Sequence, residues 1–287
     1  MHSYRSIAIA GRDVTFLQEG PPDTPRVVLL HGGGFDNAAL SWRMLLPKLM
    51  PDYAVIAPNW PGIGGSTAFG RPYSVSDLGE WLIRLLDTKG IDKAGFVGVS
   101  MGGAASLWMA ANHPDRVSAL VPVATHGVTP TVPYHFLSHL LMKLPINALS
   151  YSVMRRSRKA LRAMMSSIFA DPTKLTDELV EEAQEAIADA GAGEAFTHFQ
   201  RGESTPSGLR TDLRGALAAM PQPALFIHGT KDPLIPLASV RQAASTMPNA
   251  KLAVLDAGHW PMRERPQEFN ALVASFLQGV RSRSTIS

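Results

Sequence analysis

The stretch that decides the fold is Gly95-Phe96-Val97-Gly98-Val99-Ser100-Met101-Gly102-Gly103. Its first half is a short apolar run rich in branched and aromatic residues, the composition of a buried strand. Its second half turns directly into a helix-length stretch, 102–112. The pattern between them is G-x-S-x-G. A serine projecting from a tight strand-to-helix turn crowds any side chain two positions away, and glycine on both sides removes that conflict. The helix start behind Ser100 also favours negative charge developing in front of it. Ser100 is therefore the candidate nucleophile.

Outward from this turn the rhythm repeats. Apolar runs at 27–30, 54–57, 119–124, 224–227 and 252–255 end at Gly, Pro, Asn, Ser or Asp, as buried strands do. Helix-length stretches such as 75–89 and 267–278 lie between them. Strand alternating with helix predicts a mostly parallel sheet covered on both faces. Residues 7–18, with Gly11-Arg12-Asp13 as the turn, read as an antiparallel hairpin at the sheet edge. From about 127 to 215 no clear strand appears. There Thr176 is positioned to cap a helix beginning Asp177-Glu178-Leu179. The expected organisation is a core from 1–126 and 216–287, interrupted by a helical cap at 127–215 that covers the site.

Three more strand ends carry candidate chemistry. His31-Gly32-Gly33-Gly34 follows 27–30, and glycines there leave backbone N–H groups open to an incoming oxyanion. Gly33 and Gly34 are the candidate donors, together with Met101, the residue after the nucleophile. His228-Gly229-Thr230-Lys231-Asp232-Pro233 places Asp232 on a loop at the same edge, where it can orient an imidazole. The alternative acid position, Thr125-His126-Gly127, offers no carboxylate. Asp256-Ala257-Gly258-His259-Trp260 supplies the general base, His259, and the order Ser, Asp, His matches that of serine hydrolases with this turn. Of the 9 histidines, His31 and His228 are expected to support loops and His113 to end a helix.

Composition narrows the remaining choices. Lys and Arg number 27 against 24 Asp and Glu, a surplus too small to argue for nucleic acid. With no cysteine there is no disulfide, thiolate ligand or cysteine nucleophile. No stretch is apolar enough to span a membrane, and the first residues lack a secretory apolar run. The expectation is a cytoplasmic enzyme acting on a small-molecule substrate, with no nucleic acid and no integral membrane association. Whether it forms a homodimer stays open. The apolar residues of 134–154, Phe136 and Leu140 among them, and Trp260 beside the base are candidate substrate contacts. The run Arg155-Arg156-Ser157-Arg158-Lys159 reads first as a solvated helix face.

Together these motifs resemble the α/β-hydrolase superfamily. Asn59-Trp60-Pro61-Gly62-Ile63-Gly64-Gly65-Ser66 is similar to that family's structural loop after the second parallel strand, with Asn59 where many members have aspartate. The resemblance implies acyl or related hydrolysis with no metal and no organic cofactor. Haloalkane dehalogenases and epoxide hydrolases of the superfamily use a nucleophilic aspartate, and Ser100 departs from them. The meta-cleavage product hydrolases, which cut C–C bonds, share the glycine, serine and His259-Trp260 motifs. That branch usually has Asn where this chain has Val99, and a cap arginine where it has Ala183; Arg162 and Arg201 are the substitutes available. A carboxylic ester is thus expected first and a C–C bond second. A ligand-binding receptor with a vestigial triad is the non-enzymatic alternative.

Overall fold

The computed structural model describes residues 3–131, 135–142, 144 and 146–284. Residue 134 of the apolar stretch and the last residues of the tail, 285–287, lie outside them. Among the described residues ten strands occur in chain order: β1 (Arg5–Ile9), β2 (Arg12–Glu19), β3 (Arg26–Leu30), β4 (Ala54–Pro58), β5 (Ala94–Val99), β6 (Val117–Val123), β7 (Ser204–Thr205), β8 (Gly208–Leu209), β9 (Ala224–Gly229) and β10 (Ala250–Leu255). Short helices α1 (Ala38–Trp42) and α2 (Leu46–Leu49) precede α3 (Val75–Thr88) and α4 (Met101–Asn112). Helices α5 (His135–Leu141), α6 (Ile146–Arg156), α7 (Arg158–Ser166), α8 (Asp177–Ala188) and α9 (Ala190–Glu203) all stand between β6 and β9. The chain closes with α10 (Leu237–Thr246), α11 (Pro261–Glu264) and α12 (Pro266–Ser284).

Eight strands form one sheet in the order β1-β2-β4-β3-β5-β6-β9-β10. From β4 to β10 every pairing is parallel, while β1 and β2 join antiparallel at one edge. The edge hairpin turns one position earlier than the sequence reading placed it. Ala10 and Gly11 both have positive φ, at 48° and 75°, and β2 already begins at Arg12. Two consecutive positive φ values match the right-handed twist of the flanking strands, so the turn settles there.

Alternation along the buried strands separates two apolar layers. Phe96, Leu120 and Val28 join Leu82 of α3 and Leu107 of α4 on one face. Val97, Val121 and Leu29 join Phe269 and Val273 of α12 on the other. A sheet buried on both faces needs strands apolar throughout, which is why these runs do not alternate with polar residues.

The inserted region is mainly helical, and Thr176 does cap α8 by accepting from the Leu179 N–H. Where no strand was expected there, β7 pairs with β8 over two residues. Among the described residues, no helix is long and apolar enough to cross a membrane.

Registry places the site. Leu30 pairs with Gly98, Val99 with Val123, and Leu255 with Gly229. The carboxyl ends of β3, β5, β6, β9 and β10 therefore lie along one rim, and every catalytic candidate sits just past one of them.

Candidate active site

Ser100 occupies a strained elbow with φ of 53° and ψ of −112°. Three hydrogen bonds hold it there. Its N–H donates to Val123 O at 2.9 Å, and its carbonyl accepts from Ala104 at 3.0 Å and His126 at 3.1 Å. The flanking glycines are sterically required. A Cβ at Gly98 would lie 2.3 Å from Gly102 O, and one at Gly102 would lie 2.2 Å from Leu30 O. Positive φ at a non-glycine persists only when its surroundings impose it.

Past the ends of β9 and β10, His259 Nδ1 lies 2.8 Å from Asp232 Oδ2. The other Asp232 oxygen accepts from Leu234 N–H at 2.8 Å and Ile235 N–H at 3.1 Å. Burial alone would push Asp232 up. The adjoining His259 ring and these two N–H groups outweigh it and hold the carboxyl below its usual range. Asp232 is thus an ionised acceptor that orients the ring and leaves Nε2 as its free nitrogen. His228, fully buried, donates from Nε2 to Ile235 O at 3.0 Å and steadies the Asp232 loop; burial holds its pKa below the ordinary value.

The His259 loop is tied to the segment between α7 and α8. His259 N–H donates to Ile168 O at 2.7 Å, and buried Glu264 accepts from Gly258, Ala170 and Asp171.

On the glycine loop, Gly32 N–H is committed to Asp36 Oδ2 at 2.7 Å. This leaves Gly33 and Gly34 as the N–H groups of that loop beside Met101. A Cβ at Gly33 would meet the Phe196 ring at 2.5 Å. His31 is fully buried and anchors the loop. Its Nε2 accepts from Trp60 N–H at 3.0 Å, so Nδ1 carries the proton and donates to Gly32 O at 2.8 Å. Burial lowers His31 to about 3 and keeps it neutral. Asn59 links β2 to α1 by donating to Thr15 Oγ1 and accepting from Ala38 N–H, a structural role in which the amide supplies both the donor and the acceptor.

A cavity of about 410 Å³ opens at this rim. Ser100, His259, Gly33, Gly34, Met101 and Trp260 all line it, and Asp232 is joined to it through His259. Met154, Met164, Ile168, Phe196 and Phe199 make most of its wall apolar. Phe136 and Leu140 must be corrected. Neither lines the cavity; they are 61% and 41% exposed on the outside of α5. The two substitute arginines are likewise elsewhere. Arg162 pairs with exposed Asp177, and Arg201 donates to Met142 O. Ala183 is packed in the core. Among the described residues lining the cavity there is no lysine or arginine.

The sequence reading missed one polar pair in this wall. His126 Nε2 lies 3.3 Å from Glu203 Oε2, and Glu203 also accepts from Val75 N–H, Thr211 N–H and Thr211 Oγ1. His126 follows a strand end, the one signal that could have marked it. Glu203 lies 77 residues away at the end of α9, and no local pattern points to it. Among the described residues, no three His, Cys, Asp or Glu side chains cluster as metal ligands would.

The chain is similar to several known proteins. A 2-hydroxymuconate semialdehyde hydrolase from Pseudomonas sp. (strain CF600) is 31% identical over 260 residues, covering 88% of this chain and 86% of that protein. A poly(3-hydroxyalkanoate) depolymerase from Ectopseudomonas oleovorans is 27% identical over 285 residues, covering 99% and 95%. The solved meta-cleavage product hydrolase from Pseudomonas fluorescens IP01 superimposes with a TM-score of 0.79 at 26% identity, over 96% of this chain and 97% of that one. Residues 25–266 match the family described as alpha/beta hydrolase fold. On this match over most of its length, the chain belongs to the α/β-hydrolase family and is one of its enzymes.

Proposed function

We propose that this enzyme is a serine hydrolase cleaving a carboxylic ester with an apolar acyl part, and that residues 127–215 act as a cap over its site. The observation that carries the reading is the 2.8 Å His259–Asp232 hydrogen bond at a largely apolar cavity that Ser100 and His259 both line.

His259 Nε2 takes the Ser100 hydroxyl proton as Oγ attacks the ester carbonyl carbon. The resulting oxyanion is received by the N–H groups of Met101 and Gly33, with Gly34 beside them. Collapse expels the alkoxide, which takes the proton from His259 and leaves as the alcohol. Water then gives a proton to His259 while its oxygen attacks the acyl-enzyme. The acid is released and Ser100 regains its proton. Asp232 stays ionised and stabilises the imidazolium in both halves.

The apolar wall supports an uncharged acyl group, since a buried carboxylate needs a cationic or hydrogen-bonding partner. The bonds along a poly(3-hydroxyalkanoate) chain are esters, which agrees with similarity to its depolymerase. A second reading, hydrolysis of a C–C bond in a ring-fission product, is favoured by the similarity to the semialdehyde hydrolase.

Purified protein should hydrolyse p-nitrophenyl butyrate, and its Ser100→Ala form should not. Activity in both or in neither refutes the enzyme reading proposed here. Rapid fading of a coloured ring-fission dienoate, with slow ester turnover, would favour the second reading. A fluorophosphonate should label Ser100.

A further inference from the structure

Helix α5 is built inside out. Its histidines point inward: His135 donates to Thr205 O at 2.7 Å, and His139 Nδ1 lies 3.0 Å from Ser204 Oγ. Its large apolar side chains, Phe136, Leu137, Leu140 and Leu141, are exposed. An amphipathic helix in water does the reverse.

Helix α6, which begins five residues after α5 ends, also turns apolar side chains to solvent. Asn147, Ser150, Tyr151 and Met154, at helical spacing, line the cavity. Ile146, Leu149 and Val153 point away and are exposed, Leu149 by 68%. So many exposed large apolar groups on neighbouring elements mark a binding surface.

Charge identifies the partner. Between Asp115 and Asp171 the sequence contains no aspartate or glutamate, yet it includes Arg155, Arg156, Arg158, Lys159 and Arg162. Arg158 and Arg162 reach Asp177; Arg156 and Lys159 are exposed with no carboxylate partner among the described residues. Exposed leucines beside unbalanced basic groups suit an apolar medium bordered by negative charge. A second copy of the chain would set these like charges against each other.

We propose that the outer face of α5 and α6 docks on an anionic lipid surface, with the cavity on the inner side of the same α6. Docking covers the outward leucines, and Arg156 and Lys159 meet the headgroups. Substrate can then enter from the lipid phase. The proposal stands apart from the chemistry at Ser100, so it is tested with Ser100→Ala protein as well as with the unaltered chain.

Co-sedimentation with vesicles of equal parts phosphatidylcholine and phosphatidylglycerol should retain both proteins. Vesicles of phosphatidylcholine alone should retain about tenfold less, as should the anionic vesicles in high salt. The double variant Leu137→Glu/Leu149→Glu should lose binding by about tenfold or more. It should keep its circular dichroism and its turnover of p-nitrophenyl acetate, because neither residue lines the cavity. Absence of binding to either vesicle, or undiminished binding by the double variant, overturns the proposal. So does a double variant that changes only the protein's solution mass, since that assigns the face to self-association.

Discussion

Replacing His31 with glutamine should reverse in effect between neutral and acid pH. Folded His31 is neutral, with its pKa pushed down by burial from 6.5 to about 3. Below pH 6.5 the unfolded chain therefore takes up a proton that the folded one refuses, and stability falls as pH drops from 6.5 toward 3. At ~1.4 kcal/mol per pH unit, the loss amounts to about 5 kcal/mol across the window and about 3 kcal/mol by pH 4. Asp36 acts in the opposite sense. Burial raises it to about 6, so stability is gained as pH falls from about 6 to 3.8, which partly hides His31 in the unaltered protein. Asp36 is common to both proteins and cancels in their difference. At pH 7, His31→Gln loses the bond to Gly32 O and should be less stable by about 2 kcal/mol. The deficit should vanish near pH 5 and become a small advantage near pH 4. Urea denaturation followed by tryptophan fluorescence from pH 7 to pH 4 measures it directly. A stability gap that stays constant over that range would refute the argument that His31 is held neutral by burial.

Other substitutions test the remaining links. Asp232→Asn should keep the fold but lower ester turnover by ~10³–10⁴-fold, because it no longer selects the required His259 tautomer; steady-state kinetics decide it. Gly98→Ala should cost about 2–4 kcal/mol, or prevent folding, because the clash is with Gly102 backbone; thermal melts of the purified variant measure this. Glu264→Ala strips the acceptor from three backbone N–H groups around the His259 loop and should destabilise by about 3 kcal/mol while lowering kcat; denaturation and kinetics on one preparation separate the two effects. Phe196→Ala should open the cavity above Gly33 and favour longer acyl chains, seen as a rise in the octanoate-to-acetate kcat/KM ratio.

Local pattern was enough for whatever depends on near neighbours. The elbow at Ser100 was legible because a strand, two glycines and a helix start leave one conformation open to the backbone. Parallel architecture followed from six apolar runs separated by helix-length stretches. Asp232 and His259 were legible because each lies a few residues beyond a strand, and parallel strands bring their carboxyl ends to one rim. The turn of the β1–β2 hairpin was misplaced by one residue because positive φ at Ala10 is imposed by sheet twist and carries no mark in the side chain. Phe136 and Leu140 were misassigned on similar grounds. Leucine-rich composition says that a helix has an apolar face, but only packing says which way that face points.

The identities along the chain therefore determined the sheet and the elbow at Ser100, because these arise from short-range sterics and from burial of contiguous apolar runs. Tertiary packing alone decided that His126 meets Glu203, that Ile168 and Glu264 clamp the His259 loop, and that no arginine lines the described wall of the cavity. Those contacts join residues up to nearly a hundred positions apart, and their energies depend on distance and dielectric in the folded chain, which one-dimensional spacing does not encode.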